Sequence, residues 1–140
     1  MIRGNESLEY HARERRGKIE TTVTKPVLTQ RDLMCAYVPG ATEPCHLIAE
    51  NPGLAYEYTA KQNLVAVVTD GSAVLGLGNV GPRSAMPVME GKALLFHQLA
   101  GINGSPILVD SKERVEVVAA VTAIAKTFGA IKLEDIRAPE

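Results

Sequence analysis

Four side chains in the 140-residue chain have types and settings suited to acid–base and metal chemistry. Lys92 sits in Met89-Glu90-Gly91-Lys92-Ala93, within a turn of Val88 and Phe96 on a helical wheel. A lysine drawn partly out of water binds its proton less tightly and can serve as a general base. Tyr37 sits in Ala36-Tyr37-Val38-Pro39-Gly40, a rigid Pro-Gly loop, and a phenol held near a lysine can give up a proton. Glu134 and Asp135 are adjacent acids directly after the apolar run Ile131-Lys132-Leu133. At the carboxyl end of a strand the backbone turns, so both carboxylates can reach one cation. That edge of a parallel sheet is also where ligands bind. Mg²⁺ and Mn²⁺ take about six oxygens, so two carboxylates need a third acid, substrate and water to complete the shell. Taken singly, each residue also fits a structural role: a snorkelling lysine, a packed aromatic, an exposed acidic turn.

The elements that must position these groups follow from patterning. Residues 1–20 are polar and charged and read as an arm, helical around Ser7–Arg15. Residues 19–24 (IETTVT) are β-branched and predict a short strand. Thr29 with Asp32 matches a capping pattern and predicts a helix to about Ala36. Residues 43–51 and 54–59 predict further short helices. Leu64–Val68 and Ala73–Leu77 flank Asp70-Gly71 and predict a hairpin. A helix over residues 88–100 presents Val88, Leu94, Leu95 and Leu99. A strand at 107–109, a helix over 112–127 stopped by Gly129, and a strand at 131–133 complete the chain. The fold class is therefore α/β, a mixed and partly parallel sheet flanked by helices, with a polar N-terminal arm.

Composition narrows the function. The hydrophobic fraction is 46%, the charged fraction 22% and the net charge −1, which describes a globular domain without a basic footprint for nucleic acid or anionic membrane. There is no Trp, with four Tyr and two Phe, too few for base-stacking platforms. No apolar run reaches the ~18 residues of a membrane span, and the N-terminus lacks a signal-peptide core. Cys35 and Cys45 read as free thiols of a cytoplasmic protein. His11, His46 and His97 are scattered and carry no assigned role.

Gly76-Leu77-Gly78-Asn79-Val80-Gly81 matches the G-x-G-x-x-G spacing of dinucleotide sites. Three features speak against that use. The preceding strand is the second arm of a hairpin. Pro87 breaks any helix aimed at a pyrophosphate. Asp110 lies well beyond the ~20 positions at which a ribose-binding acid follows. The glycines are better read as allowing close approach of backbone or a small ligand.

The chain as a whole resembles the bacterial-type malic enzymes. The matching stretches are Gly17-Lys18-Ile19-Glu20, Thr24-Lys25-Pro26, Thr29-Gln30-Arg31-Asp32-Leu33, Ala36-Tyr37-Val38-Pro39-Gly40 and Glu43-Pro44-Cys45. They continue through Tyr58-Thr59-Ala60-Lys61, Asn63-Leu64-Val65-Ala66-Val67, Ala73-Val74-Leu75-Gly76-Leu77-Gly78, Pro87-Val88-Met89-Glu90-Gly91-Lys92 and Leu133-Glu134-Asp135-Ile136. The resemblance implies an N-terminal, substrate-side domain over residues 21–140 and an enzyme that oxidises L-malate with NAD⁺ or NADP⁺, then decarboxylates it to pyruvate, using Mg²⁺ or Mn²⁺. It implies that Lys92 takes the C2 hydroxyl proton, that Tyr37 protonates enolpyruvate, and that Glu134 and Asp135 are two of three acidic metal ligands. It places Gly76, Leu77 and Gly78 in a loop near the substrate. The third metal acid and the nicotinamide-binding domain would lie beyond Glu140, so the 140 residues alone are expected to be inactive. Ala73 stands where many larger relatives carry an arginine for a malate carboxylate. Homodimers or larger homo-oligomers are implied too, and the alternative function is an assembly or regulatory module that pairs subunits without catalysis.

Overall fold

The computed structural model describes residues 4–138. In chain order the elements are α1 (Gly4–Ala12), α2 (Gln30–Ala36), α3 (Thr42–Glu50), α4 (Ala55–Tyr58), β1 (Leu64–Thr69), α5 (Pro82–Ala100), β2 (Asn103–Leu108), α6 (Arg114–Ile124) and β3 (Ala130–Leu133). The chain forms two compact units, Met1–Ile19 with Asn63–Glu140, and Glu20–Gln62.

The first unit is built on a three-stranded sheet of order β2-β1-β3, parallel throughout. The α/β class and the flanking helices are as the patterning predicts. β1 is central, and its residues Ala66, Val67, Val68 and Thr69 have no exposed surface. Burial of both parities is what a strand covered on two faces requires. Ala66 and Val68 pack with Phe128 and with Val121 and Ile124 from the α6 side. On the other face α5 closes on β2 at Gly104, where an added Cβ would stand 2.7 Å from Ala93 Cα. β2 is an edge strand, so it tolerates Pro106 opposite Val67 without losing an inner ladder bond.

The predicted hairpin does not form. Parallel β2 and β3 occupy both edges of β1, which leaves no edge for an antiparallel arm. Residues 70–81 are instead a loop whose antiparallel content is one bridge, Val74 to Gly78. Asp70 starts it: its carboxylate accepts the backbone N–H of Ser72 at 2.9 Å and its hydroxyl at 2.6 Å. Gly71, at φ +68, then lies so near Gly81 that an added Cβ would stand 2.1 Å from the Gly81 carbonyl oxygen. Pro87 does not break the helix either: α5 begins at Pro82 and runs through it. The lost bond falls at the Arg83 carbonyl, and both residues are exposed, so water can satisfy it. The buried stripe of α5 is Ala85, Met89 and Ala93, while Val88, Leu95 and Leu99 are exposed. Alanines at the first and third positions of this stripe let the helix approach the sheet closely, and Met89 between them fills the interface.

The polar arm contains α1, which buries nothing. Residues 19–24 form no strand, and they pair with no strand among the described residues. In the second unit, Glu20–Gln62, the Thr29 cap is present as a full capping box, with Asp32 N–H on Thr29 Oγ1 at 3.1 Å and Thr29 N–H on Asp32 Oδ2 at 2.9 Å. No residue of this unit is buried. Cys35 and Cys45 are free and exposed. No helix among the described residues is long and apolar enough to cross a membrane.

Candidate active site

Strand register explains where the acids go. Val68 of β1 stands opposite Leu133 of β3, and Val67 opposite Lys132. Glu134 extends this ladder one residue past β3, its N–H donating to the Val68 carbonyl at 2.9 Å. Alternation then puts Lys132 and Glu134 on the face covered by α5 and Leu133 on the other. Glu134 Oε1 lies 3.7 Å from Lys92 Nζ and 3.5 Å from Lys132 Nζ. The Glu134 side chain is 15% exposed and that of Lys92 42% exposed. Lys92 is therefore held beside an acid at the rim, with water still reaching its amine.

The strand ends at Asp135, whose φ of +51 turns the chain. Its carbonyl accepts the N–H of Ala73 at 2.9 Å, and Arg137 donates its backbone N–H to Ser72 Oγ at 2.8 Å. The loop after β1 is thus pinned to the segment after β3. Thr69 contributes as well, its hydroxyl accepting the Gly71 N–H at 2.9 Å. Asp70, Ser72 and Lys132 have no assigned role in the sequence reading, yet they shape this corner. The Asp-x-Ser spacing of an Asx turn is the signal that could have found the first two.

Glu134 and Asp135 offer hard oxygen donors of the kind Mg²⁺ and Mn²⁺ prefer. The described residues contain no group of three or more His, Cys, Asp or Glu able to hold a metal. The donor set fits such an ion in chemistry, and the two acids fill only part of its shell. Gly76 and Gly78 take positive φ at +79 and +70, and Leu77 is exposed between them. This loop runs from β1 to α5, but Gly76 stands seven positions past the end of β1 rather than directly after it, so the tight strand-to-glycine context of a dinucleotide fingerprint is lacking. Tyr37 belongs to the second unit, where it follows α2 and is exposed.

A cleft of about 530 Å³ opens on the α6 side of the carboxyl ends of the strands. Lys112, Arg114, Arg137 and Asp70 supply its charge, and Val117, Val118 and Leu133 its apolar wall. It does not include Lys92 or Glu134, which register places on the opposite face.

A family profile described as malic enzyme, N-terminal domain, matches residues 16–116. The NADP-dependent malic enzyme of Halomonas elongata is 52% identical over 134 residues, covering 96% of this chain and 32% of the relative. The NAD-dependent malic enzyme of Geobacillus stearothermophilus is 55% identical over 123 residues, 88% of this chain and 26% of the relative. The crystal structure of malic enzyme from Pyrococcus horikoshii superposes with a TM-score of 0.93 at 49% identity, over 96% of this chain and 32% of that one. The chain thus spans a third or less of the length of these relatives.

Proposed function

The chain belongs to the malic enzyme family, in the part that forms the N-terminal domain, and from that premise we propose that it supplies the substrate-side half of an enzyme that oxidises L-malate with NAD⁺ or NADP⁺ and decarboxylates it to pyruvate and CO₂. The observation that carries this reading is the 3.7 Å approach of Lys92 to Glu134, two family-matching residues brought together from α5 and the end of β3.

Lys92 acts as the general base. Its amine takes the C2 hydroxyl proton, while a nicotinamide held by the rest of the protein would supply the acceptor for the C2 hydride. Oxaloacetate then loses CO₂ from C4, and the electron pair of that bond becomes the C2–C3 enol of pyruvate. Tyr37 delivers the proton that converts C3 to a methyl group. Glu134 and Asp135 would hold part of the shell of a divalent ion, which would supply Lewis-acid stabilisation of the developing negative charge. The turn over Gly76, Leu77 and Gly78 lies near the substrate, and a group other than residue 73 binds the malate carboxylate, since Ala73 has no charge to offer.

The test joins this chain to the remainder of the Geobacillus stearothermophilus relative. With L-malate, Mn²⁺ and either nicotinamide, the joined protein reduces the cofactor and releases CO₂, whereas the 140 residues alone do not. A joined, folded protein that binds malate but never turns over would remove the reading.

A second reading, subunit pairing, is favoured by the surface of the Glu20–Gln62 unit. Val23, Leu28, Tyr37 and Val38 there are all largely exposed, in a unit with no buried residue. Apolar exposure on that scale marks an association surface. In this reading the family enzyme is a homodimer or larger homo-oligomer, paired through this unit and the polar arm. Light scattering on the chain with and without residues 1–20 decides it: a dimer weakened by the truncation supports pairing, and a monomer in both removes it.

A further inference from the structure

We propose that His11 and Lys18 form a proton-sensitive latch that holds α1 to its unit, closed while the imidazole is neutral and opened when it takes a second proton. Hydrogen-bond chemistry at this pair leaves one arrangement. His11 Nδ1 lies 2.8 Å from the Ser7 carbonyl oxygen, which can only accept, so Nδ1 carries the hydrogen. His11 Nε2 lies 2.6 Å from Lys18 Nζ. A lysine ammonium can only donate, so Nε2 must accept and the ring is neutral. A proton added at Nε2 puts two donors and two positive charges at that distance, with no acceptor between them.

The Lys18 side of the latch is fixed. Its backbone N–H donates to Glu90 Oε2 at 2.9 Å, on α5. Gly17, at φ +79, brings the chain against the same carboxylate, where an added Cβ would stand 3.1 Å from either oxygen. Partial burial pushes the Lys18 amine below the ordinary lysine range, with the Glu90 carboxylate opposing. The His11 side is the movable one. α1 is nine residues long and buries nothing, shorter than the ~12–15 residues an isolated helix needs. It therefore depends on tethers to the rest of its unit, among them this contact and the Gly17 N–H on the His11 carbonyl at 3.1 Å.

The other titratable and charged groups facing the pair leave the sign unchanged. Tyr10 presents its ring to His11 edge-on at 5.5 Å, Arg13 sits over that ring at 5.5 Å, and Glu90 is engaged by the Lys18 backbone. The latch is thus held while Nε2 keeps its lone pair and released when that nitrogen takes a proton.

The experiment is two-dimensional NMR on the 140-residue chain from pH 8 to 5, following the His11 ring, the Lys18 amide and the protection factors of the α1 amides. In the native chain, α1 protection falls at least tenfold in step with His11 protonation. In His11→Gln, whose carboxamide oxygen accepts at every pH, that step is absent. In Lys18→Met the like-charge clash is gone, so α1 protection is independent of pH whatever its level. Protection that persists after His11 has titrated, or an unchanged step in either variant, overturns the latch. Should His11→Gln fail to fold, Lys18→Met decides alone.

Discussion

The Lys92 amine and the Glu134 carboxylate meet at 3.7 Å although one projects from a helix and the other from the residue after a strand. Two constraints produce the meeting. The β1–β3 register carries Glu134 one step beyond Leu133, to the face that α5 covers. Gly104 lets α5 settle onto β2 at Ala93, the neighbour of Lys92. The second constraint can be tested without catalysis. Gly104→Val forces a branched side chain into the backbone of α5, and overpacking of that kind costs about 1–3 kcal/mol. Urea unfolding should show the loss, and NMR shifts in the variant should concentrate at residues 92–94.

Gly71 is the tighter constraint on the corner. It combines a positive φ with a Cβ position 2.1 Å from the Gly81 carbonyl oxygen, so alanine meets both backbone strain and a clash with main chain that cannot rotate away. Gly71→Ala should cost on the order of 2 kcal/mol or more in chemical denaturation. Gly76→Ala, with nothing within 4 Å of its added Cβ, meets only the positive φ and should cost about 1 kcal/mol. Equal losses in the two variants would mean that the Gly71–Gly81 approach is not what closes the loop.

The capping box gives a pH prediction of known sign. Hydrogen bonding from the Thr29 side chain, then from the backbone N–H groups of Thr29 and Leu28, holds the Asp32 carboxyl below the ordinary carboxylate range. A lowered folded value means the stabilisation is fully present above the unfolded value, about 3.9, and is lost as pH falls through the folded one. Carbon-detected NMR of the Asp32 carboxyl should show it titrating below that reference. Thr29→Ala should move it upward, and no movement would detach Asp32 from the cap.

The helices and the three strands that form were legible because the signals there are local, whereas the strands expected at 19–24 and 73–77 do not form. Thr29 and Asp32 announce a cap, and Gly129 and the Pro39-Gly40 pair mark breaks. Strand pairing is not local. Ala73–Leu77 has the apolar content of a strand, and only the occupation of both β1 edges by β2 and β3 denies it a partner. Large aliphatics likewise misled at α5, where Leu99 is exposed and Ala85 and Ala93 are buried, because closeness to the sheet selects small side chains. Of the candidate site, the types of Lys92 and Glu134 were legible, and their meeting was not, since it depends on register. The roles of Asp70 and Ser72 rest on hydrogen bonds across the loop that no short spacing encodes beyond an Asx turn.

Glu134 should matter little for stability and much for metal. A half-exposed lysine and a rim carboxylate at 3.7 Å contribute at most about 1 kcal/mol, so Glu134→Gln should unfold within that margin of the native chain. In the joined protein the same change removes one of the three acids proposed for the metal and should weaken Mn²⁺ binding at least tenfold, read by water-proton relaxation. Unchanged Mn²⁺ affinity would take Glu134 out of the metal shell.

A base and a fixed positive charge at residue 92 make opposite demands, and arginine separates them. A guanidinium keeps the charge and cannot release its proton at any pH the protein survives. If Lys92 accepts the C2 hydroxyl proton, both Lys92→Ala and Lys92→Arg in the joined protein should lower kcat by about 10²–10⁴ while leaving Mn²⁺ affinity in place. If Lys92 serves only to balance Glu134, arginine restores the charge beside that carboxylate and with it most of the rate. Recovery of kcat in Lys92→Arg to within a few-fold of the native enzyme would therefore transfer the base to another residue.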